Sequence, residues 1–364
     1  HLFNGNDHCQ TGDGFSMTNE TPIIGILSGP HKQKPFSGDK QFFENIQHEC
    51  MKHGAVSFVF TPLCIQHDAI EGFLVENGKW MKKIFPYPHL VYNRLPTHSL
   101  ENKKHVQAFF RTLENRNIPY FHRTFIDKWT AFAWLQNVKN ALFQLPRTEP
   151  LTDTEEAVRF LKTYSFIYAK PVHGKMGKGI FTLSFHNENN ILLTTHTKTK
   201  IITIDDFRKL CSNLLKKRTP YIFQQGITLD ECDNQKYDFR ILLIKTESEW
   251  NVIGIGVRAA DKSKITTHTV RGGKLLPRER VTSVHDFEQL TMIAKQAASQ
   301  LANKEKTLRE CSLDIGKDLE GNYWLFEINA KPMAFDERDI ETKRISELVK
   351  TFYYVINDSY GAHF

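Results

Sequence analysis

The sequence predicts a mixed α/β (α+β) protein, with a parallel-sheet lobe first and lobes carrying antiparallel hairpins after it. Three observations predict this. Strands and helices alternate over Pro22–His122, the pattern of a parallel sheet. A glycine-rich loop interrupts two short apolar strands within Tyr168–Ile180. Two apolar runs in Leu313–Pro332 flank a polar Glu320-Gly321 turn, the mark of a β-hairpin.

Residues His1–Ser16 are polar, rich in Gly, Asn and Asp, and without an apolar period. They read as disordered, within a segment 1–21 outside the fold, and Met17 is a candidate natural start. The first lobe spans 22–124. Ile23–Leu27 reads as a buried strand, Asp39–His53 as a helix and Ala55–Phe60 as the next strand. Phe73–Val75 and Trp80–Ile84 form a hairpin around Asn77-Gly78, a dipeptide suited to left-handed turn positions. His89–Asn93 is a further strand. Leu100–Arg116 places Val106, Phe109, Phe110 and Leu113 at helical spacing, and Ile118–His122 closes the lobe. Asn93 and Arg94 end their strand beside Pro96, where open sheets bind ligands. Arg94 suits a carboxylate there, or else is a capping or surface residue.

The second lobe, 125–228, opens on Asp127 as N-cap of a helix running to Asn137. Thr152–Thr163 is a short helix. Phe166–Ala169 and Gly179–Leu183 are the strands beside the glycine loop. Asp206–Lys217 carries Phe207, Leu210, Cys211, Leu214 and Leu215 on one helical face. Tyr221–Ile227 is a strand that ends in a polar turn. The third lobe, 229–364, contains strands Lys236–Lys245 and Trp250–Ala259, a helix over His285–Lys304, the Leu313–Pro332 hairpin and a closing helix over Ile340–Ile356.

The hairpin carries the chemistry. With Glu320-Gly321 at the turn, Leu313 faces Ile328, Ile315 faces Phe326 and Lys317 faces Trp324. The other face sets Asp314 across from Glu327, with Asn329 two residues on. Opposed carboxylates repel unless a cation lies between them. With the Asn329 carbonyl they form the all-oxygen set that Mg²⁺ prefers, and Mg²⁺ commonly shares its carboxylates with substrate phosphates. The hairpin thus points to a metal–nucleotide site, against the alternative of a solvated polar face. In the glycine loop, Gly174, Gly177 and Gly179 let backbone N–H groups surround an anion. Lys170, Lys175 and Lys178 add positive charge. The Gly-Lys-Ser/Thr ending of a Walker loop is missing, so the loop reads as a lid over phosphates or as a flexible basic turn. Arg240 and Arg258 alternate with apolar neighbours beside Asp238 and are the candidate catalytic residues.

These two stretches resemble the ATP-grasp superfamily, and more closely its YheC/YheD family of spore-coat-associated proteins. Val91-Tyr92-Asn93-Arg94-Leu95-Pro96 is similar to that family's N-terminal signature, and Asp238-Phe239-Arg240 and Trp324–Pro332 match its pattern. The resemblance covers Pro22–Tyr360. It implies an ATP-grasp fold behind an N-terminal domain, with ATP and Mg²⁺ as cofactors. It implies a ligase: ATP phosphorylates a carboxylate, and an amine or thiol attacks the acyl phosphate. Mg²⁺ would rest on Asp314, Glu327 and Asn329. Lys128 and Lys170 would contact phosphates, although by its own context Lys128 is only a solvated helix start. Gln225 and Ile227 would read adenine. Asp230, or equally Glu231, would reach the ribose. Related proteins often show Asn-x-x-x-Gly-Gly where this chain has His268 before Gly272-Gly273, which leaves that loop's contact open. Spore formation and spore-coat partners follow from the resemblance alone. The alternatives are a nucleotide-binding structural or regulatory coat component without turnover, and a kinase acting on a hydroxyl.

The chain has 364 residues, 40% of them hydrophobic, enough for two or three packed domains. Its net charge of +7 is spread among acidic residues, with no block that reads as a nucleic-acid arm. The six cysteines lie far apart with no Cys-x-x-Cys pair, which fits a reduced cytosolic compartment better than a disulfide framework or a zinc site. No apolar run approaches the roughly 18 residues that a membrane span requires.

Overall fold

The computed structural model describes residues 21–174, 177–260 and 273–361. The expectations for the first 16 residues, Met17, Lys175, His268 and Gly272 lie outside them. The described chain packs as two units, one running to Phe121 and including Leu348 onward, the other His122–Glu347.

The first unit is built on β1 (Ile23–Leu27), whose five residues are all buried. After it come α1 (Lys40–Lys52), β2 (Val56–Phe60), β3 (Ile70–Glu76), β4 (Lys79–Phe85), β5 (Leu90–Asn93), α2 (His98–Glu101), α3 (Lys104–Asn115) and β6 (Tyr120–Phe121). The sheet order is β4-β3-β2-β1-β5-β6. β1 pairs in parallel with β2 and β5, and β5 with β6, while β3 and β4 add an antiparallel hairpin at one edge. That hairpin turns at Asn77 (φ 51°) and Gly78 (φ 73°), the left-handed pair its sequence favours. The helix expected over Leu100–Arg116 is two helices. Lys103 is extended between them, and Glu101 turns inward to accept from Asn93 Nδ2 at 3.1 Å. Arg94 lies 5.5 Å from the ring centres of both Phe42 and Tyr92. The closing helix α8 (Arg338–Tyr360) was expected in the third lobe, but its residues from Leu348 belong to this unit. Phe352 packs there on Tyr92 and Phe121, with ring centres 5.4 and 5.6 Å away.

The second unit holds two sheets. One comprises β7 (Thr148–Pro150), β8 (Phe166–Pro171), β9 (Phe181–Phe185), β10 (Asn190–Thr194), β11 (Thr199–Thr203) and β12 (Tyr221–Gln225), in the order β11-β10-β9-β8-β12-β7 and antiparallel throughout. α4 (Lys128–Leu135) precedes it, and α5 (Thr154–Tyr164) and α6 (Ile204–Leu215) cover its core. Asp127 caps α4 by accepting from Thr130 N at 2.9 Å, as its position predicts; such a cap contributes about 1 kcal/mol. The β10–β11 hairpin escapes a sequence reading because the run is rich in threonine and ends exposed.

The other sheet comprises β13 (Glu231–Cys232), β14 (Gln235–Thr246), β15 (Glu249–Ala260), β16 (Gly273–Leu276), β17 (Glu310–Lys317) and β18 (Tyr323–Asn329), in the order β16-β15-β14-β17-β18 with β13 on β14. Its apolar face packs on α4 and α7 (Val284–Lys304) through Leu290, Ala294, Ala297 and Leu301, as the periodicity predicts, whereas Phe287, expected on the same stripe, sits in the first turn and is exposed. The other face is therefore left to polar chemistry.

Candidate nucleotide and metal site

β17 and β18 place Asp314 directly opposite Glu327, and Ser312 opposite Asn329. The expected pairs further out are displaced. Ile315 faces Leu325 rather than Phe326, and Lys317 faces Tyr323 rather than Trp324. Two local features account for this. The turn is built by Asp318, whose carboxylate accepts from Glu320 N and Asn322 N while its backbone pairs with Asn322 and Gly321. With Gly321 left-handed (φ 87°), the hairpin closes on a three-residue loop, 319–321, one residue longer than the expected Glu320-Gly321 loop. The resulting one-residue slip would turn Glu327 onto the core face. A bulge at Phe326 cancels the slip and restores the Asp314–Glu327 pair.

The register carries the row across the sheet. Gly256 is opposite Arg240, Arg240 opposite Asp314, and Asp314 opposite Glu327, so all four share one face. Asp238 and Arg258 form the adjacent pair. Arg258, 4% exposed, donates through Nε to Asp238 at 3.1 Å and reaches Asp314 Oδ1 through Nη2 at 3.0 Å. Burial opposes its charge, yet the two aspartates outweigh that and raise its pKa. Arg240 is placed differently. Its guanidinium donates to the Ala334 and Met333 carbonyls at 3.1 and 3.0 Å and lies 4.2 Å from the Phe335 ring. Arg240 thus holds the loop after β18, and Arg258 holds the carboxylates.

Lys128, the first residue of α4, donates to Glu327 Oε1 at 2.7 Å and to the Gly174 carbonyl at 3.0 Å. Burial raises the Glu327 carboxyl, but Lys128 and Lys170 more than offset it and hold it below the usual range. Lys170, ending β8, donates to Gln224 at 2.5 Å. Burial lowers its pKa to about 8, against the pull of Glu327 and with a further push from Lys128. Two ammonium groups and two carboxylates therefore meet between β8, α4 and the hairpin. Among the described residues no three His, Cys, Asp or Glu side chains converge on one point. The donor set for a metal is two carboxylates and Asn329, an all-oxygen group that fits Mg²⁺. In the glycine loop Gly177 (φ 68°) and Gly179 (φ 76°) occupy left-handed positions that favour glycine.

A sequence model of YheC/D-like ATP-grasp proteins matches residues 117–355, most of the chain. The chain belongs to the YheC/D-like ATP-grasp family. Two relatives from Bacillus subtilis (strain 168) agree. The endospore coat-associated protein YheD is 29% identical over 331 residues, covering 85% of this chain and 72% of that protein. The endospore coat-associated protein YheC is 24% identical over 297 residues, covering 75% and 79%. Among solved structures, a D-alanyl-alanine synthetase A from Vibrio cholerae superposes with a TM-score of 0.58 at 11% identity, covering 93% of this chain and 99% of that one. A Chryseobacterium gregarium RiPP-associated ATP-grasp ligase, solved with ADP and a leader and core peptide, gives 0.52 at 14% identity, covering 90% and 96%. At these identities the likeness shows the ATP-grasp fold.

Within this ATP-grasp fold a narrow cleft adjoins the Lys128–Glu327 pair, lined by Lys170, Gln224, Leu145 and Phe326 among others. The sequence reading chose the neighbour of one of these. Gln225 is used inside the sheet: its N–H donates to Arg147 O at 2.8 Å, and its side chain accepts from Arg147 N. Gln224, one residue earlier, has the opposite side of the strand and faces the cleft. Ile227 is half-buried and is not part of that lining. Asp230 accepts from Tyr237 Oη at 2.8 Å and lines a different, wider cleft with Lys317 and Ser283. Gly256, Phe326 and Gln224 went unnoticed because bulges and strand phase carry no composition signal. Among the described residues no helix is long and apolar enough to cross a membrane. The described cysteines, Cys50, Cys64, Cys211, Cys232 and Cys311, are free thiols.

Proposed function

We propose that this protein is an ATP-dependent ligase, joining a carboxylate to an amine or thiol through an acyl phosphate. The observation that carries the reading is the Asp314–Glu327 cross-strand pair with Lys128 and Lys170 beside it. Asp314, Glu327 and Asn329 would hold Mg²⁺, which when bound supplies charge neutralisation to the β- and γ-phosphates. Lys128 exchanges Glu327 for a phosphate oxygen, and Lys170 provides a second cation at the end of β8. Arg258 fixes Asp314 and offers positive charge where the phosphoryl group transfers. Arg240, tied to the Met333–Ala334 loop, shapes the acceptor side. Gly174, Gly177 and Gly179 let the loop close over the phosphates and exclude water. Adenine occupies the cleft by Gln224, with Gln225 and Ile227 following on the same segment, and Asp230 or Glu231 is kept for the ribose.

The test is ADP release from Mg-ATP with pools of amino acids, short peptides and cell-wall precursors. Wild-type protein should release ADP in a pool-dependent way, and Glu327→Gln should abolish it. Retained turnover in the variant would overturn the metal assignment. The names of the two Bacillus relatives favour a second reading, a nucleotide-binding component associated with the spore coat. Binding of Mg-ATP without turnover in every pool would establish that reading instead.

A further inference from the structure

We infer that Glu337 is the catalytic base of the ligation half-reaction, the carboxylate that receives the amine nucleophile and takes its proton. The inference rests on the ligase reading.

The position follows from Gly256. A side chain built on Gly256 would overlap Glu337 Oε1 at 2.1 Å, so the carboxylate lies directly on that bare stretch of β15. Gly256 belongs to the row that runs through Arg240 and Asp314 to Glu327. Glu337 therefore covers the same face as the metal-binding pair. Strands are spaced about 4.8 Å apart, which sets Gly256 roughly 10 Å from Asp314, on the side away from Lys128 and the nucleotide cleft. A phosphorylated carboxylate reaching from the metal pair would end near this point.

The surroundings leave Glu337 available. The charged groups facing it are Arg240 on β14, Arg258 on β15 and Asp336 on its own loop. Both arginines are engaged elsewhere, Arg240 on the Met333 and Ala334 carbonyls and Arg258 on Asp238 and Asp314. Among the described residues no side chain hydrogen-bonds or ion-pairs with the Glu337 carboxylate. It is half-buried, and burial lifts its pKa above the usual carboxylate range, opposed by its own backbone N–H and the two arginines and aided by Asp336. A partly desolvated carboxylate with no ion partner selects a cationic amine over a neutral hydroxyl, and its raised basicity suits proton removal.

The step balances. Glu337 takes one proton from the bound ammonium. The freed lone pair forms the C–N bond as the acyl C–O bond to phosphate breaks. Phosphate leaves with that bonding pair and takes up the second nitrogen proton.

The experiment compares wild-type protein with Glu337→Gln and Glu337→Asp, using Mg-ATP and pools of amino acids and short peptides. One arm follows amide product by mass. The other adds hydroxylamine, which is neutral at pH 7 and traps an acyl phosphate without a base. Glu337→Gln should lower amide formation about 100-fold. It should also remove the rise of rate with pH that ionisation of Glu337 produces, while hydroxamate still forms. Glu337→Asp should recover part of the amide rate. Equal loss of amide and hydroxamate would overturn the inference and make Glu337 a shaping residue. Undiminished amide formation would overturn it too. If wild-type protein yields no hydroxamate from any pool, the ligase reading fails and this inference falls with it.

Discussion

Replacing Arg258 by Met isolates the role of charge in the sheet. Arg258 is nearly the size of Met in its stem, is 4% exposed, and bridges Asp238 and Asp314, which are 7% and 6% exposed. Its removal leaves two buried carboxylates without their shared cation. Breaking such an arrangement costs about 3–5 kcal/mol. For a unit of this length each kcal/mol moves Tm by about 2–4 °C, so the variant should melt about 10 °C lower. Millimolar Mg²⁺ should recover part of the loss, since Asp314 is a proposed ligand. The assay is urea unfolding followed by tryptophan fluorescence. Trp129, Trp134, Trp250 and Trp324 all lie in the affected unit. A loss below about 1 kcal/mol would refute the argument that Arg258 neutralises both aspartates.

Two further predictions concern the nucleotide side. Because Lys170 titrates at about 8, affinity for Mg-ATP should fall as pH rises through that value, and Lys170→Gln should flatten the profile, as measured by calorimetry across pH 6.5–9. Gly179→Ala should destabilise the unit by about 1–2 kcal/mol and weaken ATP binding. The residue is left-handed at φ 76°, and a Cβ there would lie 2.9 Å from the Tyr221 hydroxyl; urea melts and nucleotide titrations check both effects.

Much of the architecture was legible in the chain because period and punctuation act locally. The alternation in Leu313–Ile315 and Leu325–Asn329 put Asp314 and Glu327 on one face, and Asp127 announced α4 by the cap it makes. Asn77-Gly78 set its hairpin because few other residues tolerate that backbone. The site's finer geometry depended on contacts between segments distant in sequence. The pairing of Asp314 with Glu327 survives only because the bulge at Phe326 compensates the turn at Asp318, and neither alters composition. Gln224 rather than Gln225 faces the cleft because β12 is held between β7 and β8, which sets the strand's phase. Arg240 is drawn to the Met333 and Ala334 carbonyls, and Glu337 reaches Gly256, because the loop after β18 folds back over the sheet. A sequence by itself determines which side chains can share a face. Which groups then face one another, and which charges are already neutralised, is decided by tertiary packing, since burial and distance set the strength of every polar contact.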